Sequence, residues 1–332
     1  MTANTTFPAL LQAFFTDRLL QQKQVSPHTI ASYRDTFCLL LRYAQQRLHK
    51  TPAKLTLAEL NTPLIIAFLD HLQQERGTSA RSRNVWLAAI HSFFQYAALQ
   101  APNYSGLIEQ VLAIPSMRYA RNPIEFLTHA EIEALLAATD QDTWIGRRDR
   151  TLLVLALQTG LRVSELIGLR WQAIVFGTGA HVRCQGKGRK TRCTPLRKDT
   201  VAALQAWQHE QQSRLEAPVF ANAWGQPLSR DGVAYLLDKY VAMACQHCPS
   251  LHHKRVTPHV LRYSAAMELL QSGVDCAVIA LWLGHESMDT TQIYLHASLE
   301  LKERALEKTT PINGYPGRYR PDDELMAFLK GL

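Results

Sequence analysis

The stretch LLVLALQTGLRVSEL (residues 152–166) joins a strongly apolar run to an isolated arginine. The apolar part, residues 152–157, predicts a helix. Gly160 ends this helix, because glycine is typical of the position just after a helix C-terminus. Arg162 follows within two residues, directly before Ser164-Glu165-Leu166. The stretch therefore predicts a charged side chain at the end of a core helix.

A β-hairpin is predicted farther along the chain. HVRCQ (181–185) and TRCTPL (191–196) have the periodicity of strands, and they flank GKGRK (186–190), whose glycines permit a turn. Lys187 lies between the two glycines at the tip. The rest of this half is predicted to be helical, over residues 202–215, 229–245, 257–272 and 275–283.

Other polar residues of this half have spacings that could bring them together in one site. His259 and Arg262 are three residues apart on a helix that Thr-Pro opens, so they share a face. His285 follows a Leu-Gly pair, and Tyr294 comes nine residues later. Together with Arg162 and Lys187, these residues form a candidate set for one chemical site.

The first hundred residues predict helices with clear N-caps. Ser26-Pro27, Asn61 and Ser79 each precede a run of apolar residues at helical spacing. The aromatic residues in these runs are predicted to be core. Prolines, glycines and asparagines over residues 101–122 indicate a connection, and the capping box Thr128 to Glu131 opens a second domain.

Composition favours a polyanionic partner. The 332 residues include 47% hydrophobic residues, enough for two cores, and 36 Lys+Arg against 28 Asp+Glu give a net charge of +8. The six cysteines do not suggest a disulfide framework. We see no secretory leader and no run near the roughly 20 apolar residues of a membrane span. The sequence therefore predicts a soluble, cytoplasmic protein.

The order TGLRVSEL, GKGRK, HVLR, LGH and IYLH resembles the tyrosine recombinase (phage integrase) family. VSPHTIASYRDT and RSRNVWLAAIHSFFQYA resemble its N-terminal core-binding domain, and the resemblance spans about residues 7–308. It implies a mainly α fold with a small β-sheet. We expect a helical core-binding domain over 1–105, a linker over 106–124, a mixed α/β catalytic domain over 125–308 and a tail over 309–332.

The resemblance assigns the central chemistry to three side chains. Tyr294 is implied to be the nucleophile that forms a covalent 3′-phosphotyrosine link with DNA. Arg162 and Arg262 match the family's two arginines. Two guanidinium groups can hold a phosphate in a planar, multidentate way that lysine cannot, and they stabilise the charge that develops during attack.

Three further residues are implied to move or hold protons. Lys187 resembles the general acid that protonates the leaving 5′ oxygen. His259 would take the proton of the tyrosine, and His285 would hydrogen-bond the phosphate, since histidine titrates near neutrality. Lys190 is the alternative candidate for the general acid, but the lysine in the family lies between the two glycines, as Lys187 does.

Other tyrosines receive no role. Tyr33, Tyr43, Tyr240 and Tyr263 lie in helical runs without matching neighbours, and they are predicted to be core or half-buried. Tyr263 is also a departure from the family, which often has a second histidine after His-x-x-Arg. That position is outside the catalytic set, so the prediction stands.

Basic segments are candidates for contact with the DNA backbone. Residues 181–198 carry seven Lys/Arg and no carboxylate around the proposed acid. In the first domain, a polar cluster opens a helix that could enter a groove. The DNA-binding candidates are Arg81, Arg83, Asn84, Arg183, Arg189, Lys190 and Arg192.

Cys245-Gln-His-Cys248, followed by His252 and His253, resembles a zinc pattern. The spacing to the histidines is unusually short, and the family chemistry needs no metal. Buried thiols at a helix end and an exposed basic loop are the favoured interpretation. We therefore expect neither a metal nor another cofactor.

The resemblance also implies partners. These are double-stranded DNA, a homotetramer on two synapsed sites, and in some members an accessory recombinase or host DNA-bending protein. The apolar residues of 325–332 would dock on a neighbouring protomer, since such a short helix does not fold alone. CPSLHHKRVTPHVLR (248–262) favours a mobile-element origin. The alternatives are a non-catalytic DNA-binding protein of this fold and a type IB topoisomerase.

Overall fold

The computed structural model describes residues 6–120, 124–186, 191–212 and 214–284. The chain divides into two compact units, Met1–Arg121 and Asn122–Leu332, and each has its own hydrophobic core. Both units are mainly helical, and the second contains a small sheet, which confirms the predicted fold class. No helix in the described part of the chain has both the length and the apolar character needed to cross a bilayer.

The first unit is built from helices whose ends follow the predicted caps. Ser26, Asn61 and Ser79 each accept a backbone hydrogen bond with the side-chain oxygen, as N-caps do. Edge-to-face contacts among Phe14, Phe37 and other phenylalanines fill the core. The elements are α1 (Phe7–Ala13), a π-helical stretch (Phe14–Gln22), α2 (Pro27–Leu48), α3 (Thr62–Arg76), α4 (Ala80–Gln100) and α5 (Ser105–Leu112).

The predicted linker begins inside this unit. Helix α5 buries Ile108 and Val111 against the first core. Beyond it, the Asn84 amide donates to the Met117 carbonyl at 2.8 Å and accepts from the Met117 N–H at 2.9 Å. The part of the linker up to Met117 is therefore held on the first unit, and the predicted domain limits stay a prediction.

The second unit contains seven α-helices within the described residues. The capping box predicted at Thr128 and Glu131 is present. The apolar helix that ends at Gly160 begins earlier than its apolar run, because Thr143 caps it by accepting from the Gly146 N–H. The helices are α6 (His129–Ala137), α7 (Trp144–Thr159), α8 (Val163–Ile167), α9 (Lys198–Gln211), α10 (Arg230–Ala244), α11 (Pro258–Gln271) and α12 (Cys276–Leu283).

An antiparallel sheet of three strands lies between α8 and α9 in the chain. Strands β2 (His181–Gln185) and β3 (Thr191–Pro195) pair in register, with Val182 opposite Thr194, as the hairpin prediction required. Strand β1 (Ile174–Val175) adds to β2 and was not predicted. Two residues are too few to show the alternation by which a strand is recognised.

Helices α11 and α12 pack on each other through a small apolar cluster. Met267 and Leu270 of α11 contact Ile279 and Leu283 of α12, and all four are buried. This packing fixes the C-terminal end of α12 beside α11, which carries two of the predicted catalytic residues.

Candidate active site

Arg262 is anchored inside the second unit. Only 4% of the residue is exposed, although it carries a full charge. Its guanidinium donates to the Gly160 carbonyl at 2.6 Å and to the Leu283 carbonyl at 2.7 Å. Both acceptors lie at helix C-termini, where carbonyls have a partial negative charge. The ends of α7 and α12 therefore stabilise the buried cation of α11.

The two helix ends depend on glycine. Gly160 has φ +62° and Gly284 has φ +65°, in the left-handed region that glycine adopts without strain. A Cβ at Gly160 would lie 2.6 Å from Leu283 Cδ2, so α12 approaches this turn closely. The Trp282 indole also donates to the Thr159 carbonyl at 3.2 Å. The carbonyls that hold Arg262 are thus fixed by close packing.

We expect Gly160→Ala to lower the free energy of unfolding by roughly 2–5 kcal/mol, which combines left-handed strain with overpacking against Leu283. Gly77→Ala is the matched control. Gly77 ends α3 with φ +57°, but a Cβ added there would meet nothing within 4 Å. It should cost only about 1–2 kcal/mol. Urea denaturation of both variants measures the difference, and equal losses would contradict the close approach of α12.

Arg162 reaches the same helix end from another direction. It is the N-cap residue of α8, and its guanidinium donates to Glu165 Oε1 at 3.1 Å and to the Gly284 carbonyl at 3.0 Å. Its side chain is 29% exposed. Arg162 and Arg262 therefore bind the consecutive carbonyls of Gly284 and Leu283, so the structure brings both predicted arginines to one turn.

Glu165 links Arg162 to Arg192 of β3. Its carboxylate accepts from the Arg162 backbone N–H at 2.8 Å and from both terminal nitrogens of Arg192, at 2.9 and 2.8 Å. Burial opposes the charge, but the bonds from Arg192 and Arg162 outweigh it and hold the pKa of Glu165 below its usual value. Glu165 was not predicted, although its place three residues after Arg162 is a capping position.

His259 lies on α11, one helical turn before Arg262. Partial desolvation lowers the pKa of the imidazole, and the positive charges of Arg262 and Arg162 lower it further. The ring therefore favours its neutral form at pH 7, and this form can accept a proton. Because both arginines lower its pKa, His259 lies within electrostatic range of Arg162 and Arg262.

The other predicted catalytic residues cannot be placed. Lys187, His285 and Tyr294 lie outside the described residues, as do the DNA-binding candidates Arg189 and Lys190. Their assignments remain predictions, as do those of Arg162, His259 and Arg262.

The remaining DNA-binding candidates differ in their surroundings. Arg81 and Arg183 are exposed, as contact with a backbone phosphate requires.

Arg83 is only 6% exposed and lies 3.7 Å from Asp70, while the Asn84 side chain is hydrogen-bonded to Met117. Arg192 is likewise engaged with Glu165. These last three candidates have partners within the protein, and their contact with DNA stays a prediction.

The cysteine and histidine segment does not assemble a metal cluster among the described residues. Cys245 is buried at the end of α10, Cys248 Sγ lies 3.4 Å from Ser250 Oγ, and His252 and His253 are exposed. Over the part of the chain that the structure describes, no group of three or more candidate ligands comes together.

Sequence reasoning missed a partly buried ion pair beside this segment. Lys254 donates to Glu131 Oε2 at 2.6 Å and to the Phe126 carbonyl at 2.8 Å. Glu131 is 1% exposed and also accepts from Ser250. This pair connects the loop before α11 to the start of α6. The sequence predicted the capping role of Glu131 but not its ion pair with Lys254.

Comparison with known families matches most of the chain. The model of the phage integrase family matches residues 125–300. The phage integrase N-terminal SAM-like domain matches residues 13–101. Together the matches include every predicted catalytic residue.

Individual proteins show the same likeness. A Sinorhizobium fredii protein named as a putative integrase/recombinase is 55% identical over 332 residues, the whole of both chains. The tyrosine recombinase XerC of Pelotomaculum thermopropionicum is 31% identical over 304 residues, covering 87% of this chain and 94% of its own.

Solved structures share the fold at lower identity. The XerH recombinase in a post-cleavage complex with its difH DNA has a TM-score of 0.70 at 20% identity, covering 86% of this chain and 81% of its own. A lambda integrase tetramer on a Holliday junction has a TM-score of 0.62 at 19% identity, covering 88% and 78%.

Proposed function

The chain belongs to the phage integrase family and is a site-specific tyrosine recombinase, and from this premise we propose that Tyr294 cleaves DNA through a 3′-phosphotyrosine. The observation that carries the proposal is the convergence of Arg162 and Arg262 on the carbonyls of Gly284 and Leu283. Two guanidinium groups held at one turn form a clamp for a phosphate. His285 is the next residue of the chain.

Cleavage exchanges one bond to phosphorus for another. The Tyr294 oxygen forms a bond to phosphorus while the bond from phosphorus to the 5′ oxygen breaks. The phenol proton passes to neutral His259, and Lys187 gives a proton to the leaving 5′ oxygen. The arginines stabilise the charge on the non-bridging oxygens. Because the phosphotyrosyl link conserves the free energy of the phosphodiester, religation needs no nucleotide cofactor.

A suicide substrate tests the proposal. The target is first selected from random-sequence duplexes, and a nick is then placed just 3′ of the scissile phosphate so that the short fragment escapes. We expect a protein–DNA adduct that survives denaturation, and a released fragment whose 5′-hydroxyl accepts phosphate from polynucleotide kinase without prior dephosphorylation. Attachment of the protein to the 5′ phosphate of the fragment between cleavage point and nick, or binding without any adduct, would contradict the proposal.

The pH dependence of cleavage follows from His259. Its lowered pKa keeps the imidazole neutral down to pH values below the ordinary 6.5. We expect the acid limb of the single-turnover rate to be centred below pH 6.5, as the base becomes protonated there. His259→Gln should slow cleavage and abolish this acid limb. An acid limb centred well above pH 6.5 in the wild-type protein would contradict this role.

We further propose that four protomers act on two synapsed sites, with residues 325–332 docking on a neighbour. The proposed setting is a mobile element in a host cytoplasm, with an accessory recombinase or DNA-bending protein as a further partner. A recombinase exchanges strands between two sites, whereas a topoisomerase-like enzyme relaxes a single supercoiled plasmid. An assay for exchange between two sites therefore distinguishes the two activities.

Deleting residues 311–332 should impair synapsis and exchange while leaving site binding by one protomer within a few fold. The reason is that the deletion removes the proposed contact between protomers and none of the predicted catalytic residues. Gel-shift titration and a two-plasmid exchange assay measure the two effects. Normal exchange by the truncated protein would remove the tail from this role.

A further inference from the structure

Arg192 forms one of the best-defined charge pairs of the second unit. Its two terminal nitrogens donate to the two oxygens of Glu165, at 2.9 and 2.8 Å. The side chains are only 12% and 5% exposed. Two parallel charge-assisted bonds away from solvent fix the orientation of both groups. Arg192 lies on β3, which follows the segment that contains Lys187.

The same carboxylate also holds Arg162. Glu165 accepts from the Arg162 backbone N–H at 2.8 Å and from its guanidinium at 3.1 Å. Arg162 and Arg192 therefore share one buried anion. If Arg192 were removed, Glu165 would lose its strongest partner and could draw the Arg162 guanidinium into a different position.

Arg192 also lies against the turn at Gly284. A Cβ at this glycine would lie 2.8 Å from Arg192 Nη1 and 3.1 Å from its Cδ, so the side chain packs directly on the backbone there. The Gly284 carbonyl is the second acceptor of Arg162, at 3.0 Å. Arg192 thus binds Glu165, one of the groups that orient Arg162, and packs beside Gly284, the residue that supplies the other.

We propose that Arg192 is a positioning residue of the phosphate clamp, which orients Arg162 through Glu165 and through the Gly284 turn. This inference rests on the proposed function, because it assigns Arg162 to the scissile phosphate. Partner residues that orient metal ligands typically change affinity or activity by about 10–100-fold when removed, and we expect the same range for a residue that orients a phosphate-binding arginine. Direct DNA contact by Arg192 is the competing role.

The test compares Arg192→Met with Arg147→Met. Arg147 also makes a two-bond pair with a carboxylate, that of Glu210, at 2.9 and 2.7 Å between α7 and α9, although this pair is more exposed, at 38% and 28%. At saturating protein on the suicide substrate, Arg192→Met should form adduct about 10–100-fold more slowly, with site affinity within about threefold of wild type. Arg147→Met should cleave at the wild-type rate. A loss of affinity with unchanged saturated cleavage would show that Arg192 binds DNA directly.

A substrate with an uncharged scissile phosphate distinguishes a loss of Arg162 positioning from a general disturbance of the protein. Replacing one non-bridging oxygen of the scissile phosphate by methyl removes the charge that Arg162 meets. On this substrate, the defects of Arg192→Met and Arg162→Ala should both shrink to about threefold or less, because less charge needs stabilising. Equal defects of Arg192→Met on both substrates would overturn the inference.

Two more variants keep the test decisive if Arg192→Met folds poorly. Arg192→Lys keeps the charge but cannot make two parallel bonds, so an intermediate loss is expected. Glu165→Gln should slow adduct formation as Arg192→Met does. The double variant Glu165→Gln/Arg192→Lys should form adduct no more slowly than the slower of its two single variants. Additive defects would contradict a shared pathway. Absence of adduct with the wild-type protein would instead remove the proposed function, and this inference with it.

Discussion

Replacing Arg162 with alanine is expected to slow adduct formation by about 100- to 1,000-fold, the effect of removing one preorganised donor to a developing anion. The free energy of unfolding should change by less than about 1 kcal/mol, because 29% of the side chain is exposed and Glu165 keeps Arg192 as a partner. Arg162→Lys should recover little, since lysine cannot bind in the same planar way.

The matched change at Arg262 should have a different outcome. Arg262→Ala should slow cleavage to a similar degree, but it also leaves the Gly160 and Leu283 carbonyls without their buried donor. We expect a further loss of about 2–4 kcal/mol in unfolding free energy. Single-turnover cleavage and urea denaturation measure the two effects. A stable Arg262→Ala protein with full cleavage would contradict the clamp.

Tyr294→Phe is expected to abolish the adduct while leaving DNA binding unchanged, because phenylalanine lacks the attacking oxygen and keeps the ring. The matched control is Tyr263→Phe. Tyr263 lies on α11 beside Arg262, and its ring centroid is 6.3 Å from that of His259. The same chemical change so close to the predicted site should leave adduct formation intact. An adduct that persists in Tyr294→Phe would remove this residue from its role.

Local signals predicted much of the fold. Ser26, Asn61, Ser79 and Thr128 are N-caps as expected, because a cap depends on neighbours in the sequence. The hairpin strands also follow from local alternation. Strand β1 is too short to carry such a signal.

The surroundings of charged residues could not be predicted in the same way. Arg83, Asn84 and Arg192 were candidates for DNA contact, but their side chains meet Asp70, Met117 and Glu165. These partners are distant along the chain or lie on another element, so a composition rule about basic residues does not reveal them. Arg162, His259 and Arg262 were grouped by resemblance, and the structure adds the helix ends that hold them.

Tyr294 is the residue proposed to carry the DNA, and the adduct itself reports this most directly. The measurement is mass spectrometry of the protease-digested adduct, after nuclease treatment has trimmed the DNA to a short residue. We predict one modified peptide, with a nucleotide joined through its 3′ phosphate to Tyr294. A nucleotide on another residue, or one joined through its 5′ phosphate, would contradict the proposed chemistry.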